Sequence, residues 1–288
     1  MLLALLAALF YAACYSAIKS GLIYAPPLRF AALRALIGGL FLLSALAILK
    51  KPLIPPRRLF GFALLLSIIG PVVGFAAMFM ASSHSGVALS SVIGNTGPLL
   101  VIVFAALFLG ERITRGKLVA LVLGLAGASL IAVSGANSSS KVDRALVIFP
   151  LLAAASTAAE SMLVKVARPG PAVFQIAAWQ YLLASLPLLG LSMWQENAAS
   201  IEWNRSFVLV LLILAAGSTA AATSLWYWLV DREEVSRLSL VLFVVPIAGL
   251  GLGVAVFGER LGTLQLAGIA LILLGVVGAA LEPRRGRQ

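Results

Sequence analysis

The chain has 288 residues, of which 62% are hydrophobic and only 11% charged, with a formal net charge of +11. Soluble domains are about half apolar and about a quarter charged, so this composition excludes a soluble protein and predicts one integral membrane domain over residues 1–288. The basic residues lie in short clusters between apolar runs and not along one polar face, so nucleic acid is not expected as a partner.

Ten apolar runs of about 20 residues follow one another, each long enough to cross a roughly 30 Å hydrocarbon core as a helix. They fall at 2–22, 28–49, 59–81, 86–109, 116–135, 145–166, 172–193, 206–230, 235–257 and 264–281. The first run lacks a basic segment before it and is expected to be a span, not a cleaved signal peptide. Stretches such as ALIGGLFLLSALAIL lack the alternation of a transmembrane β-strand, so we predict an all-α protein with ten transmembrane helices.

Lysine and arginine are distributed unevenly between the two sides of these predicted spans. If the N-terminus is inside, 14 basic residues lie on the inner side and 7 on the outer side. Because basic residues gather in cytoplasmic loops, both termini are predicted to be cytoplasmic.

The chain repeats a pattern with a shift of 148 residues. The triplet Gly-Glu-Arg begins at Gly110 and again at Gly258, and a proline stands twelve residues before each, at Pro98 and Pro246. Matched Pro, Gly, Glu and Arg at constant spacing indicate a duplicated unit. The two prolines fall within apolar runs, where a proline removes a backbone hydrogen bond, and we predict that they act as hinges.

The repeat divides the chain into halves at 1–135 and 145–281, each with five predicted helices. Because five is odd, the second half is predicted to lie inverted in the membrane relative to the first. Inverted repeats are typical of alternating-access transporters that hold substrate near the midplane. The triplets fall between helices, so a structural role is predicted for Glu111, Arg112, Glu259 and Arg260.

The paired proline and Gly-Glu-Arg pattern, the sequence PPLRFAALRALIGGL in the second run and the five-plus-five arrangement resemble the drug/metabolite transporter superfamily. Within it the chain is most similar to EamA-type exporters, in particular those of aromatic amino acids, and the resemblance covers the whole chain. It implies a central cavity lined by helices 1–4 and 6–9, with helices 5 and 10 outside it, in a bacterial inner membrane. The first run departs from the family, because FYAACYS with Tyr11 replaces the frequent Trp-Gly.

Glu160 is the only acidic residue inside an apolar run. An ionisable group in hydrocarbon usually faces a wet cavity or a partner, so Glu160 is expected to meet a substrate ammonium group or to carry a proton. The alternatives are a structural pair with Arg34 or Lys165, or a position near cytoplasmic water. Arg34 could attract a carboxylate, but its closeness to a helix end favours snorkelling to the headgroups. Lys19 and Lys165 are expected to be interface anchors.

Helical spacing groups further aromatic and polar residues on shared faces, including Thr219, Thr223 and Tyr227 on the eighth run and Gln180 and Tyr181 beside Trp179 on the seventh. The predicted substrate-binding residues are Tyr11, Tyr15, Phe75, Phe79, Ser91, Asn95, Thr157, Glu160, Trp179, Tyr227, Ser239 and Phe243. His84 is expected in a solvated loop, or alternatively at a cavity mouth. The glycine-rich GLAG and GVVG of the fifth and tenth runs favour close helix packing.

These features favour a secondary transporter that exports small metabolites, most of all amino acids including aromatic ones, without a cofactor or metal. A nucleotide sugar or a drug-like compound is the alternative substrate, and the oligomeric state is open, with a monomer compatible. An intramembrane lipid-modifying enzyme is disfavoured, because the chain has one His, one Cys and neither an HExxH nor a GxSxG motif. A channel is disfavoured because charged pore rings are missing.

Overall fold

We describe a computed structural model of the chain over residues 2–12, 14–84, 96–134, 148–196, 201–248, 251 and 262–281. All regular secondary structure in these ranges is helical, and loops connect the helices. We number the helices α1 (Leu2–Gly21), α2 (Pro27–Ile48), α3 (Arg57–Ser67, Ile68–Phe75 and Ala76–His84), α4 (Gly97–Leu109), α5 (Arg115–Ser134), α6 (Ile148–Ala167), α7 (Val173–Gln195), α8 (Arg205–Leu212, Ile213–Ala221 and Ala222–Arg232), α9 (Val235–Ala248) and α10 (Thr263–Leu281).

Six helices in the described ranges are long and apolar enough to cross a membrane, namely α1, α2, α3, α6, α7 and α8. Shorter apolar helices occur at Gly97–Leu109, Val235–Ala248 and Thr263–Gly278. The predicted all-α class is therefore confirmed. The arrangement of ten spans as two inverted repeats stays a prediction.

The turn after α4 shows what the first Gly-Glu-Arg triplet does. Gly110 ends the helix with a φ of +66°, a left-handed conformation that glycine adopts without a steric penalty. The carboxylate of Glu111 accepts hydrogen bonds from the backbone N–H groups of Val235, at 3.1 Å, and Ser236, at 3.2 Å. Glu111 thus caps the start of α9, a structural role as predicted, whereas the second triplet lies outside the described residues.

Two helices contain π-helical stretches, Ile68–Phe75 in α3 and Ile213–Ala221 in α8. Pro71 lies inside the first stretch, where its missing N–H interrupts the regular ladder. Ser156 of α6 donates its hydroxyl to the carbonyl oxygens of Ile69, at 2.5 Å, and Gly70, at 3.2 Å. A neighbouring helix therefore supplies donors to the interrupted backbone, as a lipid environment requires.

The helices pack in pairs, with α2 along α7 and α5 along α10, while α6 contacts α3 and α4 and α1 contacts α8. At the α5–α10 crossing the backbones touch: a Cβ on Gly127 would lie 2.5 Å from the carbonyl oxygen of Gly268. The close packing predicted for the glycine-rich faces is thus present at Gly127 and at Gly275, whereas a Cβ on Gly278 would meet open space.

The two predicted hinge prolines have different surroundings. Pro98 lies in the first turn of the described part of α4, where a missing N–H costs nothing. Around Leu242 the bonds of α9 shorten to an i to i−3 pattern, with Val245 N–H donating to the Leu242 carbonyl at 2.9 Å. Pro246 follows four residues after Leu242 and cannot donate to that carbonyl, which accounts for the break. Motion at either proline stays a prediction.

Candidate substrate-binding site

Glu160 on α6 lies half-buried between α3, α7 and α8. Its Oε1 accepts a 2.7 Å hydrogen bond from the Tyr227 hydroxyl and a 3.4 Å bond from Gln180 Nε2. Gln180 Nε2 also donates to the Tyr227 hydroxyl oxygen at 2.9 Å, so the three side chains form one cluster. Gly70 on α3 closes the other side, since a Cβ there would lie 1.8 Å from Oε1.

The cluster does not contain the cationic partners considered for Glu160. Lys165 directs its ammonium group to the carbonyl oxygens of Val230, at 2.9 Å, and Glu233, at 2.6 Å, at the end of α8. Arg34 bonds other groups on α8. Within the described residues Glu160 is thus a carboxylate held by neutral donors and not by an ion pair, which corrects the alternative of a pair with Arg34 or Lys165.

Arg34 does not snorkel, contrary to the expectation from its place near a helix end. Its side chain is 2% exposed, with Nε donating to Thr219 Oγ1 at 2.8 Å and Nη2 to Ser218 Oγ at 3.2 Å. The physical reason is the close approach of α2 to α8 at Gly38, where a Cβ would lie 2.5 Å from Thr219 Cγ2. Hydroxyl acceptors inside the bundle hold the guanidinium there.

Aromatic rings continue from Arg34 toward the Glu160 cluster. The guanidinium carbon lies 4.2 Å from the centroid of the Phe75 ring, and Phe75 stacks on Tyr181 at 5.6 Å. The Tyr181 hydroxyl lies 2.7 Å from Thr223 Oγ1, and the Tyr11 hydroxyl lies 3.4 Å from the same atom. Tyr11 and Phe75 of the predicted site therefore lie close to the part of α8 that carries Thr223 and Tyr227.

One face of α8 connects these groups. Thr219, Thr223 and Tyr227 are spaced four residues apart, and we call them the polar stripe. Thr219 meets Arg34, Thr223 meets Tyr181 and Tyr11, and Tyr227 meets Glu160. At about 1.5 Å per residue the stripe is roughly 12 Å long, so the two charged groups occupy its opposite ends.

Other predicted site residues lie at the edge of this arrangement or outside the described residues. Phe79 is fully buried against Phe30, with ring centroids 5.0 Å apart, and its ring centroid lies 6.0 Å from the Arg34 guanidinium carbon. Thr157 is exposed and returns its hydroxyl to the Ala153 carbonyl at 3.0 Å. Ser91, Asn95 and the side chains of Tyr15 and His84 lie outside the described residues.

Trp179 belongs to a different part of the bundle. Its indole N–H donates to the Leu53 carbonyl at 2.8 Å, and its ring packs on Phe60 at 5.4 Å. The face of α7 that meets α6 and α8 carries Gln180 and Tyr181, so the adjacent Trp179 is turned toward the α2–α3 loop. This corrects its predicted place in the cavity.

Ser239 and Phe243 on α9 are both buried, and the contacts that the structure describes for them lie within α9 or with α4, α5 and α10. The Ser239 hydroxyl donates to the Ser236 carbonyl at 2.9 Å within its own helix. Phe243 is 1% exposed in a cluster with Ile102 of α4 and Ile272 of α10. Phe243 is therefore turned toward α4, α5 and α10 and away from the predicted cavity, whereas the place of Ser239 stays a prediction.

The list of predicted substrate-binding residues omits Arg34, Gln180, Tyr181, Thr219 and Thr223. Arg34 was considered as a partner for a carboxylate, and the other four were grouped on helix faces with predicted site residues. The residue types were visible in the sequence, but the direction in which each side chain points depends on how its helix is rotated against its neighbours.

Comparisons with known proteins identify the family of the chain. A family model described as "EamA-like transporter family" matches residues 1–133 and 144–281. A "Probable amino-acid metabolite efflux pump" of Salmonella typhimurium is 29% identical over 283 residues, which cover 95% of this chain and 92% of that protein. The "Uncharacterized transporter YvbV" of Bacillus subtilis is 29% identical over 263 residues, or 90% of this chain and 84% of that protein.

A solved structure, described as "Crystal structure of protein", superimposes with a TM-score of 0.83 at 22% identity, covering 99% of this chain and 97% of that one. This likeness shows the fold alone. The family model spans both halves of the sequence, and the chain therefore belongs to the EamA-like transporter family.

Proposed function

We propose that this membrane transporter exports amino acids, including aromatic ones, from the cytoplasm by alternating access without ATP. The observation that carries the proposal is the carboxylate of Glu160, which lies without an ion-pair partner in the described part of an apolar bundle. A substrate ammonium group would supply the missing positive charge.

The surroundings of Glu160 suit an amino acid with an apolar side chain. Phe75 and Tyr181 form a stacked aromatic pair next to the polar stripe, and Tyr11 adds a further ring. Binding sites for small molecules are mostly apolar with a few placed polar groups. A relative in Salmonella typhimurium is named a probable amino-acid metabolite efflux pump, which supports this substrate class.

Alternating access is supported by similarities between the two halves. The π-helical stretches lie in the third helix of each predicted half, at Ile68–Phe75 and Ile213–Ala221. Arg34 and Gln180 are 146 residues apart, the shift that also relates Lys19 to Lys165, and both contact side chains of α8. The family model also matches each half separately. These correspondences favour two inverted repeats with substrate between them.

Counterflow in proteoliposomes tests the proposal. Proteoliposomes that contain the purified protein are loaded with one unlabelled L-amino acid at a time. Entry of the labelled form is then measured, with and without a pH gradient. We expect exchange of a subset that includes aromatic amino acids. If no amino acid exchanges while nucleotide sugars or drug-like cations do, the amino-acid assignment fails and family membership stands.

Glu160→Gln examines the residue itself. Losing a charge-assisted contact to the substrate is expected to lower transport at least about 10-fold. Glu202→Gln is the matched control, because Glu202 is exposed between α7 and α8 and should transport like the wild type. Equal activity of the two variants would contradict a role for Glu160 in binding.

A further inference from the structure

We infer that Arg34 forms a binding subsite for a carboxylate group, so that the transported molecules are carboxylic acids. This inference rests on the transport function proposed above and adds a substrate feature that Glu160 does not define. Arg34 was expected at the headgroups, and its position inside the bundle is what raises the question of its use.

The guanidinium of Arg34 is held in a fixed orientation. Thr219 and Ser218 accept hydrogen bonds from Nε, at 2.8 Å, and from Nη2, at 3.2 Å. The face of the group lies over Phe75, with 4.2 Å between the guanidinium carbon and the ring centroid. A planar fork fixed in this way is ready to bind without further ordering of its side chain.

The remaining nitrogen, Nη1, is buried and has no hydrogen-bond acceptor in the described part of the chain. A buried N–H of a charged group is costly to leave unpaired, and proteins seldom keep one without a use. The residue as a whole is 2% exposed, so neither bulk water nor headgroups surround it. Nη1 is therefore the free position at which an incoming acceptor binds.

The positive charge of Arg34 is also uncompensated by the residues that the structure describes. The ion pairs found there join Lys117 to Glu234 and Arg232 to Asp231. Glu160 does not serve, because it bonds Tyr227 at the far end of the polar stripe, roughly 12 Å along α8 from Thr219. A carboxylate supplies both an anionic charge and the acceptor geometry that guanidinium matches best.

The alternative role of Arg34 is purely structural, with its side chain holding the π-helical stretch of α8 against α2. The two bonds to Ser218 and Thr219 would suit that role equally well. Nη1 distinguishes the two roles, because a purely structural contact does not require a buried nitrogen without an acceptor. If the role is purely structural, substitution of Arg34 changes the transport of all ligands alike. If Arg34 binds a carboxylate, the substitution changes only the transport of ligands that carry a carboxylate.

The test compares three related molecules in proteoliposomes: L-phenylalanine, 3-phenylpropionate, which lacks the ammonium group, and 2-phenylethylamine, which lacks the carboxylate. Each is measured as a labelled substrate and as a competitor of the other two. We expect 2-phenylethylamine to bind at least about 30-fold more weakly than L-phenylalanine to the wild type. 3-Phenylpropionate should retain measurable competition.

Arg34→Gln is expected to remove this discrimination, so that the ratio of apparent affinities for phenylalanine and phenylethylamine approaches one. Arg34→Lys keeps the charge without the fork and should give an intermediate ratio. Arg57→Gln is the control, because Arg57 is exposed at the start of α3, and it should keep the wild-type ratio. If Arg34→Gln does not fold, Arg34→Lys decides, and a wild-type ratio in that variant contradicts the subsite.

The inference is overturned if the wild type accepts the amine as well as the amino acid, or if Arg34→Gln lowers transport of all ligands by one factor. It is also overturned if neither phenylalanine nor phenylpropionate is bound. If phenylpropionate is bound in an Arg34-dependent manner while no amino acid is transported, the carboxylate subsite stands and the proposed amino-acid function fails. If amino acids exchange normally in Arg34→Gln, the proposed amino-acid function stands and the carboxylate subsite fails.

Discussion

The position of the Glu160 carboxylate depends on a residue that has no side chain. Gly70 lies in the π-helical stretch of α3, and a Cβ on it would come within 1.8 Å of Glu160 Oε1 and 2.2 Å of Cδ. Ser156 fixes the same turn of α3 from the same helix as Glu160. The carboxylate therefore has a defined place between this turn and Tyr227.

Gly70→Ala is expected to push the Glu160 side chain away from Tyr227 and Gln180. We expect transport to fall at least about 10-fold and the free energy of unfolding to fall by about 1–3 kcal/mol, as overpacking usually costs. Thermal unfolding in detergent and counterflow measure the two effects. Gly61→Ala is the control on the same helix, since a Cβ there meets nothing within 4 Å. Indistinguishable behaviour of both variants would show that Gly70 does not position the carboxylate.

The sequence identified Glu160 because a single acidic residue in an apolar run stands out by its insertion cost. Its partners were not predictable in the same way. Gln180 and the neighbouring Trp179 differ by about 100° around α7, and only the packing of α7 on α6 and α8 decides which faces inward. Arg34 shows the same limit, since distance from a helix end does not reveal acceptors on another helix.

Among the helices, α5 and α10 are joined through their backbones. A Cβ on Gly127 would lie 2.5 Å from the Gly268 carbonyl oxygen, and one on Gly268 would lie 2.6 Å from that of Gly127. Backbone atoms cannot turn aside as a side-chain end can. Small residues at such a crossing allow the dispersion contacts that drive association in lipid.

Gly127→Ala and Gly268→Ala are each expected to separate α5 from α10 and to lower the free energy of unfolding by about 1–3 kcal/mol. Transport by the folded fraction should change little, because neither helix contributes to the polar stripe. Gly278→Ala on α10 is the control, since its Cβ would meet open space. The measurement is thermal unfolding in one detergent, and a melting temperature for Gly127→Ala as high as the control's would contradict the close crossing.

The apolar runs predicted where helices lie but not how regular they are. The run 59–81 became α3, and Pro71 gave a signal for its π-helical stretch. The stretch Ile213–Ala221 in α8 contains no proline, and nothing in its sequence accounts for it. The break of α9 near Leu242 is explained by Pro246 only after the hydrogen bonds are known.

In the whole molecule, polar residues at the ends of helices fasten one helix to another. Glu111 caps the start of α9, Lys165 binds the last carbonyls of α8, and Glu196 at the end of α7 accepts the N–H groups of Leu28 and Arg29 at the start of α2. These contacts close the bundle at its ends, whereas the polar stripe lies between them.

Contacts between loops divide the loops into two groups. Glu202 N–H donates to the Tyr24 carbonyl at 2.9 Å, so the α1–α2 and α7–α8 loops lie together. Lys117 pairs with Glu234 at 3.1 Å, which joins the α4–α5 and α8–α9 turns at the other end. The second group is the more basic in the sequence, so the positive-inside rule predicts that it faces the cytoplasm.

Labelling of single cysteines with a membrane-impermeant maleimide tests this orientation in intact bacterial cells. Cys14 is buried, and Cys14→Ser gives a background without thiols. In it, Glu202→Cys is expected to react in intact cells, whereas Lys51→Cys should react only after permeabilisation, because the predicted inner loops carry the basic residues. Both positions are exposed, so access and not burial decides the outcome. Labelling of Lys51→Cys alone in intact cells would show that the orientation is the opposite of the predicted one.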